Sequence, residues 1–417
     1  MSDPIRVFGR EERLAKAHRE GTHRACSPGE TVARFRPLGT RIGLTRLANV
    51  TGLDVVGLPV WVAIRPNARG LSTSQGKGLT HDAAKASALM ESIETWHAEH
   101  VEQPVIIDSA WSLGQRANII EVDGLSHYAD APPRPDLPLA WVEGYDLLQD
   151  RPCHVPLECV STNYVVPARG APAPTFVQSS NGLAGGNHVL EAITHALAEL
   201  IERDAVALSA DDLRRLDSKR RVDPATVRDP ACREVLGYLE RAHVEVALFD
   251  LTSDLGIPVY GCSIVDADGA LRWRTLPPFN GYGCHLTPGI ALLRAINEAV
   301  QSRLTWISGS RDDISMAEYR RGGNAEDLAR FRARLDAQPP SLDFADRASL
   351  ATDSFEGDIS VMLDALRRAG IHNAVVIDLS RQDIGVPVVK VVVPRLAAPT
   401  PLIRGRAIHL PPRGTAA

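Results

Sequence analysis

Three Ala- and Leu-rich segments, each preceded by a Gly-rich stretch, constrain this chain most. The Gly-rich stretches are Gly76-Lys77-Gly78, Gly185-Gly186-Asn187 and Gly281-Tyr282-Gly283, and helices are predicted after them over 82–103, 189–207 and 288–307. Each predicted helix carries polar residues at positions i, i+4 and i+7, which share one helical face. We call these nine residues the register: Ser87, Glu91 and Glu94, then His195, Glu199 and Glu202, then Arg294, Glu298 and Gln301.

The register indicates a binding site. One such helix alone would be interpreted as a solvated face rich in helix-favouring glutamates. The same spacing three times, between mostly apolar neighbours, is not typical of exposed faces, because carboxylates are rarely buried without a partner. No matching rows of Lys or Arg neutralise these helices. We therefore expect the carboxylates to converge on Mg²⁺ ions and on a triphosphate, since Mg²⁺ usually bridges carboxylates to phosphates.

A second repeat predicts the sheets. The pattern Gly-apolar-Pro-Val starts at Gly57, Gly256 and Gly385, and an apolar stretch follows each copy. The later two copies also follow a helix-like segment (231–241 and 359–369) and a strand-like segment (244–250 and 374–378). Proline is tolerated near the start of a strand. The repeat predicts antiparallel β-hairpins with helices packed on one face, and hence an α+β fold.

Composition and missing motifs exclude several classes of protein. Lys and Arg number 46 against 51 Asp and Glu, a net charge of −5, whereas a basic excess is expected of a nucleic-acid clamp. No apolar run is long enough for a membrane helix, and six cysteines without metal-site spacing indicate reduced thiols in a cytoplasmic protein. The stretch from Gly70 to Gly78 is not a Walker A loop, because its spacing is too long and Gly78 stands where Ser or Thr is needed.

Residues outside the register fit the same site. Lys77 is positioned to reach phosphate oxygens, and Arg203 and Arg303 to stabilise charge on a transferred phosphoryl group. Asn187 and Glu191 extend the predicted metal cage. His195 is either a ligand or a packed core residue, which the sequence alone leaves open.

Together these segments resemble the YcaO family. The resemblance rests on Gly76-Lys77-Gly78 with Ser87-x-x-x-Glu91-x-x-Glu94, on Glu199-x-x-Glu202-Arg203-Asp204 and on Glu298-x-x-Gln301-x-Arg303, and it covers residues 50–395. The stretch from Thr45 to Pro66 is similar to stand-alone members found with TfuA-type partners. The resemblance implies a YcaO-like fold in which Glu-bearing helices surround an ATP site without a P-loop. We predict an N-terminal segment (1–50), a catalytic domain (51–395) and a Pro-, Arg- and Gly-rich tail (396–417), in which no regular structure is expected.

The resemblance also implies roles for single residues. The predicted Mg²⁺ ligands are Glu91, Glu94, Glu191, Glu199 and Glu202. The predicted ATP-binding residues are Lys77, Ser87, Glu91, Asn187, Arg203, Glu298 and Gln301. The predicted catalytic residues are Arg203, Gln301 and Arg303.

Family enzymes activate a backbone amide, whose oxygen attacks the γ-phosphate of ATP so that phosphate can then leave. Attack by a Cys, Ser or Thr side chain gives an azoline, and attack by sulfide gives a thioamide. Azoline-forming members resemble one another in a Pro-x-Pro-x-Pro ending, whereas this chain ends Leu410 to Ala417 without it, which favours thioamidation of a ribosomally made peptide or protein. The alternatives are an azoline-forming cyclodehydratase, a non-catalytic scaffold that activates a partner enzyme, and an accessory role in modifying a ribosomal protein.

The resemblance further implies a peptide or protein substrate, a TfuA-like partner, a sulfur donor and a homodimer. Residues 1–50 are too short for a domain that captures a leader peptide, so substrate capture is expected to need the partner. Neither nucleic acid nor membrane is expected as a partner.

Overall fold

The computed structural model describes residues 3–165, 173–267, 275–344, 347–397, 402–403 and 406–410; the chain's ending after Leu410 lies outside them. The helices are α1 (Pro28–Phe35), α2 (His81–Glu99), α3 (Ala110–Gly114), α4 (Val189–Leu208), α5 (Ala210–Arg215), α6 (Pro230–Arg241), α7 (Pro288–Ser308), α8 (Met316–Gly322), α9 (Ala325–Ala337) and α10 (Phe355–Arg368). The strands are β1 (Ile5–Val7), β2 (Arg10–Glu12), β3 (Arg46–Asn49), β4 (Val60–Ile64), β5 (Thr73–Lys77), β6 (Val105–Ser109), β7 (His127–Tyr128), β8 (Pro138–Asp146), β9 (Arg151–Pro156), β10 (Leu183–Gly185), β11 (Arg221–Val222), β12 (Val244–Asp250), β13 (Val259–Asp266), β14 (Phe279–Cys284), β15 (Val375–Asp378), β16 (Val388–Val392), β17 (Leu402–Ile403) and β18 (Arg406–His409).

The three predicted helices are confirmed as α2, α4 and α7. Thr80 caps α2 by accepting a hydrogen bond from Ala83 N, and His188 caps α4 by accepting from Leu190 N. Pro288 opens α7, where its missing N–H costs nothing. The predicted end of α2 at residue 103 is too late, since the helix ends at Glu99 and Pro104 disfavours helical geometry just before it.

The repeated Gly-apolar-Pro-Val pattern forms three antiparallel hairpins, as predicted. Strands β3–β4, β12–β13 and β15–β16 pair across it. Gly57, Gly256 and Gly385 have φ values of +80°, +71° and +71°, which side chains other than glycine rarely adopt. The glycine is therefore required by the turn into the second strand.

Each hairpin gains a third strand. This strand contains part or all of a Gly-rich stretch, and a register helix follows it. Module A consists of β3, β4, β5 and α2, and module B of β12, β13, β14 and α7. Module C consists of β15, β16, β10 and α4. Ala88, Ala196 and Ala295, each beside the first register residue of its helix, are fully buried, so one face of every helix lies in the core.

Module C is assembled from two distant parts of the chain. β10 and α4 lie near the middle of the sequence, whereas β15 and β16 come near its end, with Leu183 opposite Lys390 and Gly185 opposite Val388. Its sheet continues through β8 to β6, and β9 also pairs with β8. The chain therefore closes module C only after module B is complete.

The predicted terminal segments take part in the sheets. β3, which precedes residue 50, pairs with β4, and α1 packs on α2. In the tail, β18 pairs with β7, so the expectation of irregular structure there is wrong for residues 406–409. Residues 406–409 contain neither Pro nor Gly, so their backbone groups can form a ladder with the strand beside them. Within the described residues, no helix combines the length and the apolar character that crossing a bilayer requires.

Candidate active site

The second register residue of each helix binds the Gly-rich strand or adjoining turn of its own module. Glu91 accepts a hydrogen bond from Gln75 N at 3.1 Å, and Glu298 accepts one from Tyr282 N at 3.3 Å. Glu199 accepts one from Gly182 N, just before β10, at 3.2 Å. The equal spacing seen in the sequence therefore reflects an equal geometry in the three modules.

The third register residue of each helix reaches the next module. Glu94 accepts a hydrogen bond from Gly185 N of module C at 2.7 Å, and Glu202 accepts one from Cys284 N of module B at 3.0 Å. Gln301 Nε2 donates to the carbonyl oxygen of Gln75 in module A at 2.9 Å. Modules A, C and B thus form a closed ring with the register along its inner side.

Glycine in the strands lets the helices come this close. A Cβ atom on Gly76 would overlap the backbone of Ala84 and Ala88, and one on Gly281 would overlap the backbone of Ala295 and Ala299. Only a residue without a Cβ atom fits where a strand lies directly on a helix. The Gly-rich stretches serve close packing, which places the strand N–H groups within reach of the glutamates.

The carboxylates lie in a setting that disfavours their charge. Burial, with a smaller contribution from the neighbouring Glu199 charge, raises the pKa of Glu91 to about 7 and that of Glu94 to about 8. Glu91 is open to solvent on one side although protein atoms crowd the others. Burial also raises the pKa of Glu199 and of Glu202. The four side chains converge as predicted, and cations are needed to stabilise their ionised forms.

Two of the predicted cations lie among these carboxylates. Lys77 Nζ donates to Glu298 Oε2 and to Gln301 Oε1, both at 2.9 Å. Burial raises the pKa of Glu298, but Lys77 and Arg203 lower it more, so its pKa lies below the ordinary value. Arg203 lies 3.9 Å from Glu199 and 3.7 Å from Glu202. Both cations sit where a phosphate group bound among the glutamates would touch them.

The first register residues differ in charge. Burial, with the nearby Arg294 charge, lowers the pKa of His195 well below its ordinary value, so this imidazole is neutral at pH 7. The Nε atoms of Arg294 and Arg203 are buried and have no hydrogen-bond partner within the described residues. Ser87 is half-buried on the same face of α2.

Asn187 and Glu191 meet the N-terminal segment, which the sequence did not place at the site. Ala25 N donates to Glu191 Oε2 at 2.9 Å, and Arg24 Nε lies 3.7 Å from Glu191 Oε1. Asn187 Nδ2 donates to Thr31 Oγ1 at 3.0 Å. Arg24 was missed because no spacing links it to residues far away in the chain. Arg294 was named in the register, but the sequence did not predict that its buried Nε would lack a hydrogen-bond partner within the described residues.

Arg303 lies apart from the register. Its side chain is 1% exposed and forms ion pairs with Asp54 at 2.8 Å and with Asp266 at 3.0 Å. Two positions beyond Gln301, a helical residue points to another face. The guanidinium is therefore neutralised between α7, β13 and the first hairpin turn. This placement disagrees with the prediction that Arg303 stabilises a transferred phosphoryl group.

The side chains fit the Mg²⁺ and triphosphate expected from the sequence. Within the described residues, no three His, Cys, Asp or Glu side chains are gathered closely enough to hold an ion by themselves. Mg²⁺ usually takes only one or two carboxylates and completes its shell with waters and phosphate oxygens. The Nε atoms of Arg203 and Arg294, which have no hydrogen-bond partner within the described residues, would be donors for those phosphates. A polyphosphate with its cations would therefore fit this site.

The fold and the register define an ATP- and Mg²⁺-binding protein that modifies peptides in an ATP-dependent reaction. The chain belongs to the YcaO family: the family model described as YcaO cyclodehydratase, ATP- and Mg²⁺-binding, matches residues 75–397.

Relatives are similar over most of the chain. An uncharacterized protein in the tfuA 3′ region of Rhizobium leguminosarum bv. trifolii is 35% identical over 89% of this chain and 88% of its own length. An uncharacterized protein of Methanothermobacter thermautotrophicus is 36% identical over 89% of this chain and 94% of its own.

Solved structures share the fold. A heterocyclase in complex with substrate and cofactor has a TM-score of 0.74 at 25% identity and covers 95% of this chain, which spans only 55% of that heterocyclase. YcaO from Methanopyrus kandleri, bound with AMPPCP and Mg²⁺, has a TM-score of 0.69 at 24% identity over 92% of this chain and 95% of its own. The predicted family, fold and cofactors are confirmed.

Proposed function

We propose that this protein uses ATP to activate a backbone amide of a ribosomally made peptide or protein and promotes its conversion to a thioamide. The observation that carries the proposal is the closed ring of three modules that gathers the register, together with the location of a relative in a tfuA region. The location of this relative in a tfuA region supports a TfuA-like protein as the partner that presents the substrate or the sulfur.

In this proposal, Glu91, Glu94, Glu199 and Glu202 hold Mg²⁺, with Glu191 beside them. Bound there, Mg²⁺ would neutralise the phosphates and would make the γ-phosphate a better electrophile. Lys77, Ser87, Asn187, Glu298 and Gln301 orient the nucleotide. Arg203, whose Nε has no partner within the described residues, stabilises charge that develops on the transferred phosphoryl group. Arg303 keeps α7 in position through its ion pairs.

The reaction needs no oxidant. The amide oxygen forms a bond to the γ-phosphorus and ADP leaves; hydrosulfide forms a bond to the amide carbon. The carbon–oxygen bond then breaks, phosphate leaves with that oxygen and takes the sulfur-bound proton, and the carbon–sulfur double bond remains. The products are the thioamide, ADP and hydrogenphosphate.

A second candidate is azoline formation. The structural similarity to a heterocyclase favours it, because the same activated amide yields an azoline when a substrate side chain attacks. The two reactions share every residue assigned above and differ only in the nucleophile.

The test incubates the full chain, with and without a TfuA-like partner, with ATP, Mg²⁺, sulfide and candidate peptides. Mass spectrometry that finds sulfur in place of one oxygen supports thioamidation. Loss of one water molecule supports the azoline reaction instead. If the peptide stays unmodified while ATP is bound but never consumed, the protein is a nucleotide-binding scaffold. Light scattering of the same sample tests the proposed homodimer.

A further inference from the structure

A cavity of about 190 Å³ lies beside the register, next to Arg203 on α4. Its walls come from α4, from β16 and the residues after it, from the segments before β7 and β10, and from β18. Apolar side chains form much of its surface, among them Val177, Leu200, Val391 and Ile408. The cavity has room for a small ligand or for several water molecules.

The charged side chains that line this cavity are Lys390 and Arg203, and no Asp or Glu belongs to its described lining. Lys390 is 2% exposed, and its Nζ donates to the carbonyl oxygen of Ser179 at 2.5 Å. Within the described residues, Lys390 forms no ion pair with a carboxylate. Burial lowers the pKa of Lys390 to about 8, and the nearby Glu199 charge offsets only part of this effect. A buried ammonium without an ion-pair partner is costly. An anion that enters the cavity would therefore bind where it relieves this cost.

The cavity and the register have opposite charge. An anion that approaches over Glu91, Glu94 and Glu199 is repelled, whereas Lys390 and Arg203 attract it. The anionic form of sulfur is the nucleophile. Hydrosulfide is small, singly charged and polarizable, so apolar walls with one buried ammonium suit it better than they suit a strongly hydrated dianion.

We propose that this cavity admits hydrosulfide and that Lys390 holds it as an anion beside Arg203, an inference that rests on the thioamidation proposed above. Hydrosulfide leaves the cavity by forming the bond to the amide carbon. Its proton departs on the phosphate, as in the balanced reaction above, so Lys390 keeps its own protons throughout. Lys390 is thus a binding residue for the nucleophile.

The first experiment measures steady-state thioamidation by Lys390→Met, by Lys390→Arg and by the control Lys85→Met, which removes a lysine outside the cavity. We expect Lys390→Met to raise the KM for sulfide about tenfold or more, while the KM for peptide and the Kd for an ATP analogue change less than about twofold. Lys390→Arg should restore most of the sulfide affinity. Thermal unfolding checks that Lys390→Met folds, as expected when a buried charge that forms no ion pair within the described residues is removed.

An unchanged KM for sulfide in Lys390→Met would overturn the inference. A raised KM for peptide with unchanged KM for sulfide would also overturn it, and would assign the cavity to a side chain of the substrate.

A second experiment needs no turnover. It follows the ¹³Cε NMR signal of Lys390, assigned with Lys390→Met, as hydrosulfide is added to the full chain with Mg²⁺ and a non-hydrolysable ATP analogue. A saturable shift that chloride at equal ionic strength does not produce supports the inference, and its absence overturns it. If the wild type forms no thioamide, the proposed function fails, and this titration still decides whether the cavity binds hydrosulfide.

Discussion

Gln301 Nε2 donates a hydrogen bond of 2.9 Å to the carbonyl oxygen of Gln75, and this contact closes the ring of three modules. At the other two junctions a glutamate accepts from a backbone N–H, whereas here an amide donates to a backbone carbonyl. The amide oxygen of Gln301 also accepts from Lys77. A glutamate in place of Gln301 would lack the N–H donor that reaches Gln75. This explains why the third register residue is a glutamine here and a glutamate in the other two helices.

Replacing Glu202 should separate catalysis from folding. Because burial raises the pKa of this carboxyl group, its charge destabilises the nucleotide-free protein. We expect Glu202→Gln to abolish ATP turnover and to leave the free energy of unfolding equal or higher by about 1 kcal/mol. Phosphate release and urea unfolding measure the two effects, with the exposed Glu240→Gln as the control. Normal turnover in Glu202→Gln would remove this residue from the site.

The stability of the metal-free protein should fall with rising pH. Burial raises the pKa of Glu91 and Glu94 from 4.5 to about 7 and about 8, so the folded protein keeps protons that the unfolded chain has lost. The stabilisation is present below about pH 4.5 and is lost as the pH rises to about 8, on the order of a few kcal/mol in total. Mg²⁺ with an ATP analogue should flatten this slope, because ligands bind metal in their ionised form. Thermal unfolding measured against pH, with and without the ligands, gives the two slopes. Equal slopes would refute the prediction.

Lys77 should contribute mainly to nucleotide binding. Its ammonium group contacts Glu298 and Gln301 and lies where phosphate oxygens are expected. We expect Lys77→Ala to weaken the binding of an ATP analogue about tenfold, in keeping with the loss of one charged hydrogen bond. Calorimetric titration measures the affinity, and Lys85→Ala serves as the matched control. Equal affinities of the two variants would assign Lys77 a role outside nucleotide binding.

Gly76→Ala should disrupt module A. The added Cβ atom would overlap the backbone of α2, so strand and helix must separate. We expect a loss of about 3 kcal/mol or a failure to fold. Gly52→Ala is the control, because a Cβ atom there meets nothing within 4 Å. Similar urea midpoints for the two variants would show that β5 can move away from α2 without loss of stability.

Arg303→Met should act on stability rather than on phosphoryl transfer. The substitution leaves Asp54 buried without this counter-charge and removes one ion pair of Asp266, which costs about 3–5 kcal/mol. Activity per folded molecule should remain close to that of the wild type, and Asp54→Asn in the same chain should recover part of the stability. A stable Arg303→Met protein that has lost turnover would instead return Arg303 to the catalytic residues.

The sequence by itself determined the repeated units. Spacing in the helices placed three polar residues on one face, and each Gly-Pro pattern marked a hairpin, because helical and extended chains have fixed periods of their own. These local rules predicted α2, α4, α7 and the three hairpins, and the motifs on those helices carried the resemblance to the YcaO family.

Only the tertiary structure decided how the units meet. The pairing of β10 with β16 joins residues about two hundred positions apart, and no period in the sequence encodes such a pairing. The same holds for Arg24, which reaches Glu191 from another segment, and for Arg303, whose two aspartates lie far from it in sequence. Lys390 could have been noticed as a lone charge in an apolar strand, but its cavity exists only once α4, β16 and the tail are packed together.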